Sequence, residues 1–217
     1  MLQRGLRWTG ETRGYFIAGR IALLRSILPS DLPARRILDF GCGNGEATPR
    51  LSEAFGGVEV LGVDASAEAI ESARRNHREP ALSFATLEEV PAEKQFGLVY
   101  AANVFHHIGP EERRSTLDWI SARLADGGYF AMFENNPWNP GTRFVMRRVA
   151  FDDDAVPIPP PAALRMLRAV PGLEIARTRS LFWFPSPLSA LRRLERLLDR
   201  VPFGGQYLAL AKKVAGG

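Results

Sequence analysis

Short apolar runs alternate along this chain with longer amphipathic stretches. The pattern predicts strands near 36–40, 58–63, 81–85, 97–101 and 128–134, and helices near 46–55, 66–78 and 111–124. Ser66 and Pro110 are typical of helix starts. Strands that alternate with helices indicate a parallel sheet with right-handed crossovers. Such sheets bind ligands at the carboxyl ends of their strands.

The pattern is less regular outside this core. A helix over 15–28 precedes it. A loop with short helical pieces (136–161), a helix (161–169), a strand (173–182), a basic amphipathic helix (188–200) and a last strand (206–213) follow. No repeat or low-complexity linker divides the chain. We therefore predict one domain over 1–217, with a helical cover at 1–35 and substrate-side insertions at 136–172 and 184–205.

The first predicted strand runs into a glycine-rich loop. The candidate ligand contacts there are Asp39, Gly41, Cys42, Gly43 and Gly45. Glycine lacks a Cβ, so this backbone can turn sharply and lie against a ligand, and the next helix offers free N–H groups. Asp64 ends the second strand, where an acid can accept the hydroxyls of a ribose. The combination predicts a site for an adenosine-containing ligand.

Two ligand classes were weighed for this loop. A dinucleotide site has the pattern G-x-G-x-x-G and a helix end that faces a pyrophosphate. Here the order is G-C-G-N-G-E, and Asp39 would repel a pyrophosphate but suits the ammonium of an amino acid. The segment D-F-G-C-G-N-G resembles motif I of the class I S-adenosylmethionine (SAM) methyltransferases, in which Asp64 matches the ribose-binding acid.

The resemblance extends over about residues 36–135 and, in architecture only, over the remainder. Residues 96–108 resemble the family's fourth-strand motif, 124–130 the turn into the fifth strand, and 206–213 the last strand. The resemblance implies an α/β, Rossmann-like fold: a seven-stranded, mostly parallel sheet with an antiparallel last strand and helices on both faces. Thr86 and Gly97 depart from the family pattern, which has an acid at each position.

The resemblance also implies a cofactor and its contacts. SAM would be the methyl donor and S-adenosylhomocysteine the product, and no metal is expected. Asp39 and the glycine loop would hold the methionine end, and Asp64 the ribose. Further contacts would be Ala65, Thr86 and Leu87 at the adenine, Asn103 and Val104 under the sulfonium, and Arg20 at the carboxylate. For Arg20, an exposed helix arginine is the favoured interpretation.

Two groups of polar residues follow the fourth and fifth strands. His106 and His107 lie where acceptor and methyl must meet, and a neutral imidazole suits a general base. The alternative is that a histidine only holds the loop. The candidates for binding the substrate are Glu134, Asn135, Asn136 and Trp138. A structural loop with self-capping asparagines explains the same residues equally well.

Composition narrows the setting. No apolar run is long enough to cross a membrane, no signal peptide is visible, and Cys42 has no disulfide partner, so a cytoplasmic enzyme is expected. The resemblance implies a bacterial one. Residues 1–36 carry seven basic and two acidic residues (+5), 37–138 eight and sixteen (−8), and 139–217 thirteen and six (+7). The basic outer segments favour an anionic acceptor or surface, and solvated arginines explain them equally well.

For two segments we favour a structural interpretation over a functional one. Asp152–Asp154 could hold a metal, but a solvated acidic turn is favoured. The helix over 188–200, with Leu191, Leu194, Leu197 and Leu198 on one side, could cover an apolar substrate or touch a membrane, but packing against the sheet is favoured.

These observations predict a SAM-dependent methyltransferase of small-molecule or secondary metabolism. The acceptor would be an O, N or C nucleophile, apolar, isoprenoid-linked or anionic. An RNA methyltransferase is less favoured. Enzymes of this fold that methylate base amino groups have an N/D-P-P-Y/F motif after the fourth strand, which is absent here, and those that methylate C5 of a pyrimidine need a catalytic cysteine, whereas Cys42 lies in the cofactor loop. A catalytically inactive binding module is the third alternative. The sequence does not indicate the oligomeric state.

Overall fold

A computed structural model describes residues 11–146 and 155–215. Seven strands form one sheet in the order β3-β2-β1-β4-β5-β7-β6. Their bounds are β1 Arg36–Phe40, β2 Glu59–Asp64, β3 Leu82–Thr86, β4 Phe96–Ala102, β5 Leu124–Asn135, β6 Leu173–Leu181 and β7 Gln206–Lys213. Only β7 runs antiparallel to its neighbours. The predicted mostly parallel sheet with an antiparallel last strand is confirmed.

Helices connect most of these strands. The α-helices are α1 Arg13–Ile27, α2 Thr48–Ala54, α3 Ala67–Asn76, α4 Arg113–Arg123, α5 Pro140–Met146, α6 Pro160–Arg168 and α7 Glu195–Leu198. Short 3-10 helices cover Leu87–Glu89, Phe105–His107 and Ser186–Leu194. Ser66 caps α3 as predicted, because its side chain accepts a hydrogen bond from the Ala69 amide. Helix α4 begins at Arg113, three residues after Pro110.

A separate apolar core lies on each face of the sheet. One contains Leu38, Val99 and Phe130 with residues of α4 and α6. The other contains Ile37, Leu98 and residues of α1 and α2. Successive residues of a strand point to opposite faces, so β1 and β4 are apolar at nearly every position. Helices therefore cover both faces, as the sequence predicts.

Gly97 has a packing reason of its own. A Cβ at this position would lie 2.2 Å from the Ala34 carbonyl oxygen and 2.9 Å from the Leu32 Cβ. The chain that enters β1 therefore crosses directly over the start of β4. This close approach explains glycine where the family usually has an acid.

The segment 188–200 differs from its prediction. It forms a 3-10 helix that bends at Leu188 and then the four-residue α7, not one amphipathic α-helix. Leu191, Leu194 and Leu197 are 41%, 46% and 77% exposed, so the favoured packing of this leucine face against the sheet is wrong. Leu191 and Leu194 share one side of the 3-10 helix, which has three residues per turn, and Leu197 follows them in α7.

Two further predictions concern the aspartates that could hold a metal and membrane-spanning helices. Asp152–Asp154 lie outside the described residues. Within 11–146 and 155–215, no helix has the length and apolar character needed to cross a membrane.

Candidate active site at the carboxyl ends of the strands

A cleft of about 1250 Å³ opens at the carboxyl ends of β1, β2 and β4. Its walls contain most of the predicted site residues. These are Arg20, Asp39, Gly41, Cys42, Gly43, Asp64, Ala65, Leu87, Asn103, Val104, His106, His107 and Asn135. The predicted residues outside its lining are Gly45, Thr86, Glu134, Asn136 and Trp138. The volume exceeds the ~300–1000 Å³ typical of a pocket for one small ligand, so two ligands fit side by side.

The glycine loop turns as the sequence predicts. Gly41, Gly43 and Gly45 all have positive φ, at 72°, 53° and 79°. A Cβ on Gly45 would lie 2.8 Å from the Phe84 ring, whereas one on Gly43 would meet nothing within 4 Å. Gly45 therefore serves helix and strand packing, and Gly43 keeps the backbone open toward the cleft.

Asp64 fixes this loop against the next turn. Its carboxylate accepts the Gly43 amide at 2.8 Å through one oxygen and the Ser66 amide at 2.9 Å through the other. Backbone N–H groups of Gly41 and Cys42 also bond the Val63 carbonyl, which draws the two strand ends together. One acid thus positions both the loop and itself at the cleft wall.

Asp39 is a buried acid behind the loop. It is 2% exposed, and the Thr48 hydroxyl donates to it at 2.7 Å. Burial raises the pKa of Asp39 to about 7, the Thr48 hydrogen bond opposes this rise, and the nearby charge of Asp64 adds to it. Such a carboxyl favours a cationic partner, because a positive charge would offset the cost of its burial.

Arg20 is buried, contrary to the favoured exposed interpretation. Its side chain is at the cleft, 6% exposed, and its Nε donates to the Gln206 side-chain oxygen at 2.9 Å. The Gln206 amide in turn donates to Asn135 at 3.0 Å and, more weakly, to Asn103 at 3.5 Å. Gln206 begins β7, so the antiparallel last strand holds these side chains at the cleft.

Tyr100 is a buried residue of β4 close to Asp39 and Arg20. It pairs with Asp39 in register, lines the cleft and is 1% exposed. Burial raises the pKa of its phenol, the Arg20 charge opposes the rise and Asp39 adds to it. Within the described chain, the Tyr100 hydroxyl has no hydrogen-bond partner of normal geometry. A buried polar group without a partner is costly, so a ligand that bonds it would relieve that cost.

The loops after β1 and β4 touch each other. A Cβ on Gly41 would lie 2.3 Å from the Val104 side chain, so only glycine lets that valine approach. Asn103 has φ 59°, a left-handed conformation that asparagine tolerates better than most residues. Its amide bonds the Phe133 carbonyl at 2.8 Å. This geometry brings the fourth-strand loop over the glycine loop.

His106 is held by Glu134. The imidazole Nδ1 lies 2.5 Å from one carboxylate oxygen of Glu134, and both side chains are 2% exposed. The other oxygen accepts the backbone N–H groups of Val104 and Phe105, at 3.1 and 2.8 Å. The carboxylate therefore favours the tautomer that carries its proton on Nδ1, in which Nε2 is the unprotonated nitrogen.

Arg113 supports the same turn. Its Nε donates to the carbonyls of Phe105 and Ile108, and its guanidinium reaches the Val156 carbonyl at 2.9 Å. Burial lowers the pKa of Arg113, and the charge of Glu134 opposes this shift. The histidine turn is thus fixed from two sides, whereas His107 is exposed at the rim.

The residues after β5 divide between cleft and scaffold. Of the four predicted substrate contacts, only Asn135 lines the cleft. The buried Asn136 donates to the carbonyls of Pro202 and Gly204, both at 2.9 Å, and accepts the Trp138 amide. Trp138 packs against Phe203 with 6.1 Å between ring centroids. This loop therefore ties β5 to the chain that enters β7.

Aromatic side chains form the opposite wall. The Phe182 ring lies 5.5 Å from Tyr15 and 4.9 Å from Phe16, and all three line the cleft. The Trp183 indole N–H is buried and has no partner among the described residues. The sequence patterns do not indicate that Tyr15, Phe16 and Gln206 line the cleft, because their places depend on packing between distant segments.

The described residues contain no group of three or more His, Cys, Asp or Glu side chains that could hold a metal ion. Cys42 is a free thiol that lines the cleft, and burial raises its pKa. A thiol kept neutral in this way is a poor nucleophile.

Comparison with known proteins shows what part of the chain is similar to methyltransferases. Residues 38–130 match the methyltransferase domain family. A trans-aconitate 2-methyltransferase of Pseudomonas paraeruginosa is 35% identical over 117 residues, which cover 54% of this chain and 42% of that protein. A tRNA U34 carboxymethyltransferase of Klebsiella pneumoniae is 34% identical over 159 residues, which cover 64% and 44%. The chain thus spans less than half the length of these curated relatives.

The fold resembles a solved methyltransferase over a longer stretch of the chain. The crystal structure of a SAM-dependent methyltransferase from Archaeoglobus fulgidus superposes with a TM-score of 0.63 at 20% identity, and the match covers 96% of this chain and 97% of that one. Residues 38–130 thus match a methyltransferase domain, and the described chain has the fold of the class I SAM-dependent methyltransferases.

Proposed function

We propose that this protein transfers a methyl group from SAM to a small, partly apolar and anionic acceptor in the bacterial cytoplasm. The observation that carries the proposal is the cleft itself. Its lining joins Asp39, the glycine loop and Asp64 at one end to His106 at the other. A donor and an acceptor therefore fit in one enclosure with a base between them.

The donor end fits the amino-acid part of SAM. That part is a zwitterion, and the cleft offers the Asp39 carboxyl for its ammonium and the Arg20 guanidinium for its carboxylate. The unpartnered Tyr100 hydroxyl could donate to the same carboxylate. Opposite charges matched in a buried pocket give both affinity and orientation.

The nucleoside part fits the turn after β2. Asp64 lies at the strand end, where a carboxylate can accept hydroxyls of a ribose, and Ala65 and Leu87 supply apolar surface for a base. Thr86 lies outside the cleft lining, and its amide bonds Glu89 within the turn after β3. We therefore assign the adenine contact to Ala65 and Leu87 rather than to Thr86.

The acceptor end provides a base. When bound, SAM supplies the methyl as an electrophile. His106, with Nδ1 bonded to Glu134, would take the proton of an acceptor hydroxyl or amine on Nε2 as that nucleophile attacks the methyl. Glu134 would stabilise the imidazolium that forms, as an orienting carboxylate does in other His-based sites.

The walls indicate the acceptor's chemistry. Tyr15, Phe16, Phe182 and Trp183 offer aromatic surface, and the free indole N–H of Trp183 would donate to an oxygen. The segments that bound this end are basic, which favours an anionic group. An acid that carries a carboxylate beside the reacting hydroxyl or amine is such an acceptor, and a relative named for trans-aconitate supports an acid as the substrate class.

A tRNA acceptor is the second candidate. The Klebsiella relative named for tRNA U34 matches 64% of this chain, and the basic flanks would suit phosphates. The aromatic lining could also stack a base. We rank it second because the candidate site residues line an enclosed cleft and do not form an exposed basic face.

The test is a methyl-transfer screen. Wild-type protein and the His106→Ala variant are incubated with methyl-labelled SAM and one of three acceptor pools: organic acids, isoprenoid lipids or bulk tRNA. Label in a small acid or lipid, lost in the variant, supports the proposal. Label only in tRNA establishes the second candidate. If no pool or cell extract is labelled although SAM binds, the protein is a binding module.

A further inference from the structure

One surface of the molecule has its polarity reversed. Leu188, Leu191, Leu194 and Leu197, which we name the leucine ridge, follow one another at every third position. They are 47%, 41%, 46% and 77% exposed. Helices of water-soluble domains turn such a row toward the core. Here the row faces away from it.

The polar row of the same segment faces inward. Arg192 forms an ion pair with Glu11, donates to the Phe184 carbonyl and lies 4.5 Å over the Tyr15 ring. Glu195 accepts the backbone N–H groups of Trp183 and Phe184, both at 3.1 Å. These contacts fix the rotation of the segment, so the exposure of the leucines is built into the fold.

The ridge continues into other exposed apolar residues. Val201 and Phe203 are 38% and 51% exposed, and Phe203 packs beside the exposed Trp138. Several exposed large apolar side chains that follow one another mark an interaction site rather than ordinary surface. Trp138 and Phe203, with their amphipathic or aromatic rings, suit a membrane interface.

The surface is also basic. Residues 186–203 contain four arginines and two acids, a net charge of +2. Both acids are engaged within the protein: Glu195 by backbone N–H groups, and Asp199 by Arg179 at 2.9 Å. Arg193 and Arg200 are exposed. Leucines beside exposed arginines are the composition of a segment that lies in the headgroup region of an anionic bilayer.

A second copy fits this surface less well. A two-fold dimer through the ridge would place Arg193 and Arg200 near the same residues of its partner, and like charges at an interface are unfavourable. Anionic lipid phosphates instead complement them. The long arginine side chains can reach phosphates while the leucines enter the acyl boundary.

The ridge is continuous with the rim of the cleft. Trp183, Phe184 and Pro185 line the cleft directly before the segment, and Gly205 lines it directly after. A bilayer that holds the ridge would therefore lie beside the acceptor end. This placement would give an amphiphilic acceptor a short path from lipid to His106.

From this reversed polarity we infer that residues 186–203 dock the protein peripherally on an anionic lipid surface. The inference is independent of the proposed reaction, because it concerns the ridge and not the chemistry. Lipid binding and SAM binding are therefore measured separately, and either can fail alone.

The experiment is vesicle co-flotation with the full chain. The vesicles contain phosphatidylcholine alone or an equal mixture with phosphatidylglycerol. We expect wild-type protein to float with the anionic vesicles and much less with the neutral ones, and to be released by high salt. The double variant Leu194→Ser, Leu197→Ser should lose about tenfold or more in partitioning, because two apolar side chains would no longer enter the acyl boundary.

Two matched variants serve as controls. Arg193→Gln with Arg200→Gln should weaken anionic binding several-fold, whereas Arg165→Gln with Arg168→Gln, exposed on α6, should not. Circular dichroism confirms that each variant is folded. Wild-type protein that stays unbound, or a leucine variant that floats as well as wild type, overturns the inference. So does a concentration-dependent dimer that the leucine variant abolishes, since the occupant is then a second copy.

Discussion

The two ends of the cleft use their polar residues in opposite ways. At the donor end, Asp39 and Asp64 line the cleft and can contact a ligand directly. At the acceptor end, Glu134 and Asn136 are buried outside the cleft lining and bond the protein itself, through His106, backbone N–H groups and the carbonyls before β7. Their neighbours His106 and Asn135 line the cleft.

This difference shows why one end can be identified and the other cannot. Under the proposed function, the donor end binds one fixed molecule, and its acids lie at β1 and at the end of β2, where the motif resemblance places them. The acceptor end combines buried polar residues that bond the protein itself with an aromatic wall. Polar residues that look like substrate ligands in the sequence can instead hold the base in place.

The largest effect should come from removing the acid that ends β2. Asp64→Ala leaves the Gly43 and Ser66 amides without their acceptor and removes the proposed ribose contact. We expect the Kd for SAM to rise by about 1000-fold, from unpaired groups that cost roughly 1–3 kcal/mol each. Titration calorimetry measures it. Asp126→Ala, which changes an exposed acid near the start of β5, is the control; equal affinities in both variants would remove Asp64 from the site.

The acceptor end should respond in rate rather than in donor affinity. His106→Ala is expected to slow single-turnover methyl transfer about 100-fold or more, the usual contribution of a general base, with an unchanged Kd for SAM. Glu134→Gln should slow it as well, because it removes the carboxylate that orients the ring and stabilises the imidazolium. His107→Ala should stay within tenfold of wild type. If His106→Ala turns over normally, the acceptor needs no base.

The contact between the two ends can be strained directly. Gly41→Ala would bring a Cβ within 2.3 Å of Val104 at a positive φ, and should lower the free energy of unfolding by about 1–3 kcal/mol and SAM affinity about tenfold. Gly57→Ala is the matched control, since its φ is 76° but a Cβ there meets nothing within 4 Å. Equal losses in the two variants would mean that only backbone strain matters and that the Val104 approach does not.

The smallest expected effect is a pH dependence at the donor end. The pKa of Asp39 is raised to about 7, so its contribution to stability is complete at acidic pH and is lost as the pH rises through 7. Relative to Asp39→Asn, the free energy of unfolding of wild type should therefore decrease between about pH 4 and about pH 7. Thermal or urea unfolding across this range measures the difference.

SAM binding should compete with protonation of the Asp39 carboxylate. If the ammonium of SAM lies at Asp39, binding favours the carboxylate and releases a proton at about pH 6 but not at about pH 8, and affinity falls several-fold per pH unit below 7. Calorimetry in two buffers of different ionisation enthalpy counts the protons. No release at either pH would place the ammonium elsewhere.

Local patterns account for what could be predicted. Apolar periodicity predicts the strands of the core and places Asp64 at the end of one of them. The clustered glycines predict the loop, because they adopt the positive φ angles that its turn requires. Arg20 was expected on the surface because helix periodicity does not reveal that Gln206, 186 residues away, would pair with it. The ridge was expected to pack because the sequence shows its leucines but not the ion pair and backbone contacts that turn Arg192 and Glu195 inward.

The central claim is that the donor end holds SAM, and an equilibrium titration of wild-type protein tests it most directly. SAM and S-adenosylhomocysteine should each bind at one site per chain with a Kd of about 1–100 μM, and NAD should not compete, because Asp39 repels a pyrophosphate. Absence of SAM binding at millimolar concentration, or tighter binding of NAD, would contradict the account.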